Sequence, residues 1–331
     1  MKKALIIMMP ELVEAVYSKE TQDLIRKDFA LLAEPLTADN CKESPELLKQ
    51  VEVIFSGWGA PVFDEAFLKL TPKLEAIFYA AGTMKSLLTE KVWERQITIS
   101  TANTINAIPV AEYTVSMILF SLKNGWPITR KVRGNRTFHF REFSPLGLYK
   151  RTIGLISLSQ VGRKTLELLK PFDVDIVYYD PFVSKEAGEE MGAEKVSLEE
   201  LFKISDVVSL HSPLLPETEG LISGELIESM KQNATFINTA RGAIVKEQEL
   251  IDVLKARKDL TAILDVTDPE PPSKESELFD LANIVVTPHI AGSAGSETLR
   301  LGDAMLEEAK RYITSEPLRH RITKEQYQRM A

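Results

Sequence analysis

Four short apolar runs in the second half of this 331-residue chain each give way to residues that can do chemistry. Val207–Leu210 is followed by His211, Ser212 and Pro213, and Thr235–Asn238 by Thr239, Ala240, Arg241 and Gly242. Thr261–Leu264 is followed by Asp265 and then Glu270, and Ile284–Thr287 by Pro288, His289, Ile290, Ala291 and Gly292. If these runs are buried parallel strands, the residues after them share the carboxyl edge of one sheet, where open α/β sheets bind ligands. Four such loops are hard to explain by stability alone. Each residue by itself keeps an ordinary reading, because a lone histidine after a strand is usually structural and Arg241 with Glu270 could be a plain ion pair. Together they offer a proton donor and acceptor that works near neutral pH, a carboxylate and a planar cation.

A second source of chemistry lies just upstream, in RTIGLISLSQVGRKTLELLKPFDVDIVYYD, residues 151–180. Thr152–Leu158 reads as a buried strand, Gln160–Leu169 as a helix stopped by Pro171, and Val174–Tyr179 as a second strand ending in Asp180. That is β-turn-α-β with an acid roughly 20 residues past the turn, the pattern of a nicotinamide dinucleotide site. The turn should read G-x-G-x-x-G, and its three positions hold Ser157, Ser159 and Gly162. Gly162 keeps the close packing of helix on strand. A serine at 157 is tolerable if φ stays negative there. Ser159 is expected to point where phosphate oxygens should lie, either clashing with them or donating a hydrogen bond to them. The start of the helix still offers free N–H groups and a positive dipole end. Asp180 is expected to accept the adenosine ribose hydroxyls, which favours NAD over NADP. The plainer alternative is a βαβ unit that binds nothing.

These residues need elements to hold them. The N-terminal third alternates strand candidates (Lys3–Met8, Val51–Ser56, Leu74–Tyr79, Ile97–Ser100) with helical patterns (Pro10–Glu14 onward, Pro45–Lys49, Asp64–Lys69, Thr89–Arg95), which predicts a small parallel α/β domain. A long helix fits Pro109–Lys123, with proline in its first turn. Asn124–Lys150 has poor periodicity and many aromatics and arginines, so it reads as a long loop whose apolar residues need a partner surface. Beyond it, six strand candidates make up a doubly wound dinucleotide fold, Asp206–Leu210 being the third of them. A final helix fits Ser296–Thr314, and Tyr312 and Leu318 are placed to return to the first domain.

Net charge is −8 with acids and bases interspersed, which argues against a nucleic-acid or membrane-surface partner. Cys41, the one cysteine, sits among polar residues and fits a reducing cytoplasm. No segment reads as a membrane span, and no cysteine, histidine and carboxylate cluster has metal-ligand spacing.

The strings NTARGAIV, LDVTDPEPP and VVTPHIAGS, with LISLSQVG, YYDP and IPVAEYTV, resemble the signature segments of D-isomer-specific 2-hydroxyacid dehydrogenases over nearly the whole chain. The resemblance implies a Rossmann-type doubly wound sheet at 106–296 for NAD. It also implies a smaller flavodoxin-like substrate domain from 1–105 and 297–331, with a cleft between the two. It makes Arg241 the substrate-binding arginine, Glu270 the acid and His289 the proton donor and acceptor. It adds Gln160, Val161, Ser212, Thr218, Thr239, Ala240 and Asp265 around the cofactor. His211 is placed toward the nicotinamide, while His139 and His320 read as structural or surface residues. In the first domain, Tyr79–Thr83 matches the loop whose backbone N–H groups hold the substrate carboxylate, with Ala81 and Gly82 small enough for that approach, and Asn106 matches an asparagine near the domain junction.

The implied activity is interconversion of a D-2-hydroxy acid and its 2-keto acid with NAD(H), by a homodimer paired through the cofactor domain. Formate-oxidising relatives replace the acid with glutamine, so Glu270 disfavours that activity; an inorganic oxyanion donor would keep the trio. The loop Gly57-Trp58-Gly59 carries no basic residue. Trp58 is therefore expected to line a pocket for an unphosphorylated substrate, small like glyoxylate and hydroxypyruvate or with an apolar tail, although it could instead cap the domain core. The two serines of the turn motivate the other reading, a nucleotide sensor or corepressor-like relative with little turnover; the intact trio argues against it.

Overall fold

The computed structural model describes residues 1–138 and 146–330. The chain divides into two compact units, Met1–Asn106 with Ser293–Ala331, and Ala107–Gly292.

In the first unit the apolar runs form five parallel strands: β1 (Lys3–Ile7), β2 (Ala30–Leu31), β3 (Val53–Ser56), β4 (Ala76–Tyr79) and β5 (Thr98–Thr101). Their order, β2-β1-β3-β4-β5, is that of a flavodoxin-like sheet. β3 and β4 are buried throughout, as strands covered on both faces must be. The helix Thr298–Ile313 lies on this sheet through Leu301, Met305, Leu306 and Ala309. It also lies so close to the helix Pro10–Val16 that a Cβ on Gly302 would meet the Val16 carbonyl oxygen at 1.9 Å. Tyr312 packs edge-on against Phe78. The helix Lys19–Asp28 and the two-residue β2 were not anticipated, because KETQDLIRKD offers few apolar positions; Ser18 starts that helix by accepting from the Thr21 N–H at 3.1 Å. Cys41 proves fully buried in the core rather than set among polar groups, and burial raises its pKa.

The second unit holds seven parallel strands rather than six: β6 (Arg151–Ile156), β7 (Val174–Tyr179), β8 (Glu194–Lys195), β9 (Val207–Leu210), β10 (Thr235–Asn238), β11 (Thr261–Leu264) and β12 (Ile284–Val286). The order is β12-β11-β10-β9-β6-β7-β8, a doubly wound sheet with one more strand at its edge. The extra strand is the short, charged β8, which has no apolar run to announce it; β9 is therefore the fourth strand of this sheet, not the third.

Two further expectations are corrected here. The long helix runs Asn103–Leu122, so Pro109 lies inside it and not in its first turn. By length and composition alone this helix is apolar enough to cross a membrane, but half of it is buried within the fold, as in a core helix. Within Asn124–Lys150, Gly125–Asn135 is a helix rather than loop. Asn124 turns the chain at φ 56°, and Trp126 meets Phe120 edge-on at 4.7 Å while donating its indole N–H to Ser121 Oγ at 3.1 Å. Part of that aromatic cluster is thus satisfied by its own unit. Phe138 and Tyr149 are exposed. His139, Phe140 and Phe143 lie outside the described residues.

Candidate active site

The turn after β6 departs from expectation at each serine. Ser157 adopts φ +74°, the left-handed region that favours glycine, not the negative φ expected of it. Its hydroxyl donates to Asp180 Oδ2 at 3.1 Å. Ser159 donates its hydroxyl to the His211 carbonyl at 2.8 Å while its oxygen caps the helix Gln160–Leu169. In this arrangement the Ser159 hydroxyl is engaged within the protein. Gly162 does what a glycine there must, since a Cβ would lie 2.1 Å from the Ser157 carbonyl oxygen. Gln160 and Val161 form the first turn of that helix. Asp180 is buried, and its carboxylate already accepts from Ser157, Leu158, Phe182 and Val183, so a ribose arriving there would meet acceptor positions already in use.

The strand-end residues of β9–β12 assemble as one network in places. His289 Nδ1 lies 2.5 Å from Glu270 Oε1, leaving Nε2 as the other ring nitrogen. His289 itself has φ +54°, held there by its N–H bonds to the Asp265 and Thr287 carbonyls at 2.9 and 3.0 Å. The Asp265 carboxylate takes Thr287 Oγ1 at 2.6 Å and the N–H groups of Ile290 and Ala291 at 2.9 Å each. Arg241 is partly buried; burial lowers its pKa and the charge of Glu270 opposes that. Its guanidinium donates to the Ala240 carbonyl at 2.6 Å. Thr239 Oγ1 meets Thr114 Oγ1 at 3.2 Å. Thr218 spends its hydroxyl on its own loop, donating to the Pro213 carbonyl and accepting from the Leu215 N–H. Ser212 is buried beside His211. His211 is fully buried with neither ring nitrogen hydrogen-bonded among the described residues, and desolvation pushes its pKa down to about 3, so it stays neutral.

Supporting residues were missed by sequence reasoning. Asn238 folds the β10 loop by donating to the Arg241 carbonyl and accepting from the Ala240 N–H. Gly242 lets the loop lie on the chain after β11, where a Cβ would meet the Thr267 carbonyl carbon at 2.0 Å. Tyr113 extends the Asp265 network, its hydroxyl 2.9 Å from Thr287 Oγ1. A polar asparagine ending an otherwise apolar strand was the available signal for the first.

In the first unit, Trp58 packs against both core clusters, which favours the core-capping option over a pocket wall, and its carbonyl accepts from the Met9 N–H. Ala80 and Ala81 are fully buried. A Cβ on Gly82 would make ordinary contact with Asn106 Nδ2 at 3.5 Å, and Asn106 Oδ1 accepts from the Ser293 N–H at 2.9 Å, so the asparagine ties two separate segments of that unit. His320 is structural, with Nδ1 2.8 Å from Thr104 Oγ1. Among the described residues no histidine, cysteine and carboxylate group could hold a metal ion.

Residues 115–291 match the family described as D-isomer specific 2-hydroxyacid dehydrogenase, NAD binding domain. The chain belongs to this family. It is 32% identical over 276 residues to a D-3-phosphoglycerate dehydrogenase of Methanocaldococcus jannaschii, covering 83% of this chain and 52% of that one. It is 31% identical over 314 residues to a D-3-phosphoglycerate dehydrogenase of Archaeoglobus fulgidus, covering 95% of this chain and 59% of that one. The chain thus spans little more than half the length of these relatives. A phosphoglycerate oxidoreductase from Rhizobium etli shares the fold with a TM-score of 0.81 at 20% identity, covering 98% of this chain and 99% of that one. The dehydrogenase family's NAD-binding domain is the second unit, and both parallel sheets are those of its fold.

Proposed function

We propose that this dehydrogenase interconverts a D-2-hydroxy acid and its 2-keto acid with NAD(H). The observation that carries this reading is the 2.5 Å contact of His289 Nδ1 with Glu270 on the sheet edge that also presents Arg241. NADH supplies the hydride when bound. Gln160, Val161 and Gly162 at the helix start would receive its pyrophosphate, with Ser212, Thr218, Thr239, Ala240 and Asp265 shaping the surroundings. His289, protonated at both nitrogens, delivers a proton from Nε2 to the ketone oxygen, while Glu270 holds Nδ1–H, sets the ring orientation and stabilises the imidazolium that donates in reduction and forms in oxidation. Arg241 clamps the substrate carboxylate with its planar fork. By the family resemblance, the backbone N–H groups of Ala81 and Gly82 would take part in carboxylate recognition, with Asn106 nearby; the Ala80 N–H is already given to the Ser56 carbonyl. The intact proton relay makes a pure nucleotide sensor the weaker reading, and pairing through the cofactor-binding unit is the assembly we propose.

We further propose an unphosphorylated substrate. Gly57-Trp58-Gly59 and Ala80–Met84 contain no basic residue. The next one, Lys85, spends its ammonium on the carbonyls of Tyr327, Gln328 and Met330. A phosphate needs such cations. The names of the two relatives favour the opposite reading, phosphoglycerate chemistry. The deciding experiment follows NADH absorbance with glyoxylate, hydroxypyruvate, phenylpyruvate and 3-phosphohydroxypyruvate. Higher kcat/KM for hydroxypyruvate than for its phosphorylated form is the expected result; the reverse overturns the substrate proposal, and no turnover with any of the four counts against this substrate range.

A further inference from the structure

The carboxylate of Asp180 has room for about four donors, and four are in place. Ser157 Oγ and the Leu158 N–H reach Oδ2 at 3.1 and 2.8 Å, and the Phe182 and Val183 N–H groups reach Oδ1 at 2.8 and 3.1 Å. Asp180 is only 4% exposed and Ser157 only 9%. Three of these donors are backbone amides, which leave only if the turns at 157–159 and 181–183 rearrange. The fourth is a hydroxyl on a single rotatable bond. In a dinucleotide-binding unit the acid at this place receives the adenosine ribose hydroxyls, and those hydroxyls also need acceptor positions. Glycine, the expected residue at 157, would have no side chain to compete for them and would accept φ +74° without strain.

We infer that Ser157 is an affinity-determining residue that competes with the adenosine ribose for Asp180. Nucleotide binding requires the Ser157 hydroxyl to swing off Oδ2, so this chain loses part of the ribose contribution that a glycine turn would keep. The inference rests on the NAD-binding reading above. It concerns only the adenosine end, so it is separable from the hydride and proton chemistry.

Ser157→Ala removes the competing donor while keeping the Cβ and the backbone demand; Ser157→Gly removes both and secures a folded variant should the alanine form be unstable. Dissociation constants for NADH, AMP and 2′,3′-dideoxy-AMP are measured by calorimetry on the wild-type chain and both variants, with thermal melts as a control on folding. Both variants are expected to bind NADH and AMP about three- to tenfold more tightly, the size of one hydrogen bond's net contribution. Dideoxy-AMP, which has no ribose hydroxyls, should show no gain. NADH binding that is unchanged or weakened in folded variants overturns the inference alone, as does an equal gain for dideoxy-AMP. No NADH binding by any of the three proteins overturns the dinucleotide reading and the inference with it.

Discussion

His289 is held at φ +54° by its own N–H bonds, with Asp265 fixing the two residues that follow it. Strain of this kind is kept at functional positions when neighbours over-determine it. His289→Ala should lower kcat by about 10²–10⁴-fold, the usual worth of a positioned acid–base group, with NADH affinity retained in a fluorescence titration. Arg241→Lys should stay badly impaired despite its retained charge, because an ammonium cannot reproduce the fork. Near wild-type rates in both would mean that the site lies elsewhere. His211 has a different consequence. Its folded pKa of about 3 lies below the ordinary value, so the unfolded chain takes up the proton first as pH falls. Stability is lost from about pH 6.5 downward, by about 2 kcal/mol at pH 5 for this one group. In His211→Leu that acid sensitivity should shrink by the same amount in urea melts at pH 7 and pH 5. An unchanged difference would show that the ring is hydrated or paired in solution.

At the level of elements, the turns depend on closeness rather than on side chains. Gly162 brings the helix Gln160–Leu169 down on the Ser157 carbonyl, and Gly242 brings the β10 loop down on Thr267. Gly162→Ala must push helix and strand apart. It should destabilise the fold by about 1–3 kcal/mol, as overpacking does, and weaken NADH binding, both read from a thermal melt and a titration on the same sample. A variant with wild-type stability and affinity would mean that the turn relaxes without cost. Ser159 is the contrasting case. Its place in the motif pointed at phosphate, yet the hydroxyl found two nearer partners, the His211 carbonyl and the helix start.

For the whole molecule, the helix Gly125–Asn135 settles Trp126 against Phe120 but leaves Phe138 and Tyr149 exposed. An aromatic exposed at the surface is a position a second copy could cover, and two-fold pairing is the commonest assembly. Light scattering at micromolar concentration should give twice the 37.1 kDa chain mass. A monomer mass would refute the proposed pairing. Replacing Phe138 and Tyr149 by serine should shift a dimer toward monomer if this face carries it.

Strand positions, the order of the motifs and the family were legible in the residues themselves. Parallel strands buried on both faces read as unbroken apolar runs, and NTARGAIV, LDVTDPEPP and VVTPHIAGS place Arg241, Glu270 and His289 at strand ends whatever the details of packing. The charged β8, the helix Lys19–Asp28 and the interior Pro109 were not legible, because each owes its conformation to neighbours and not to its own periodicity. The same holds at the site. Which partner a hydroxyl chooses depends on what the fold brings within hydrogen-bonding distance of it, so only the tertiary structure could decide that Ser157 and Asp180 bond to one another, that Ser159 turns back to His211, and that Trp58 leans on the core.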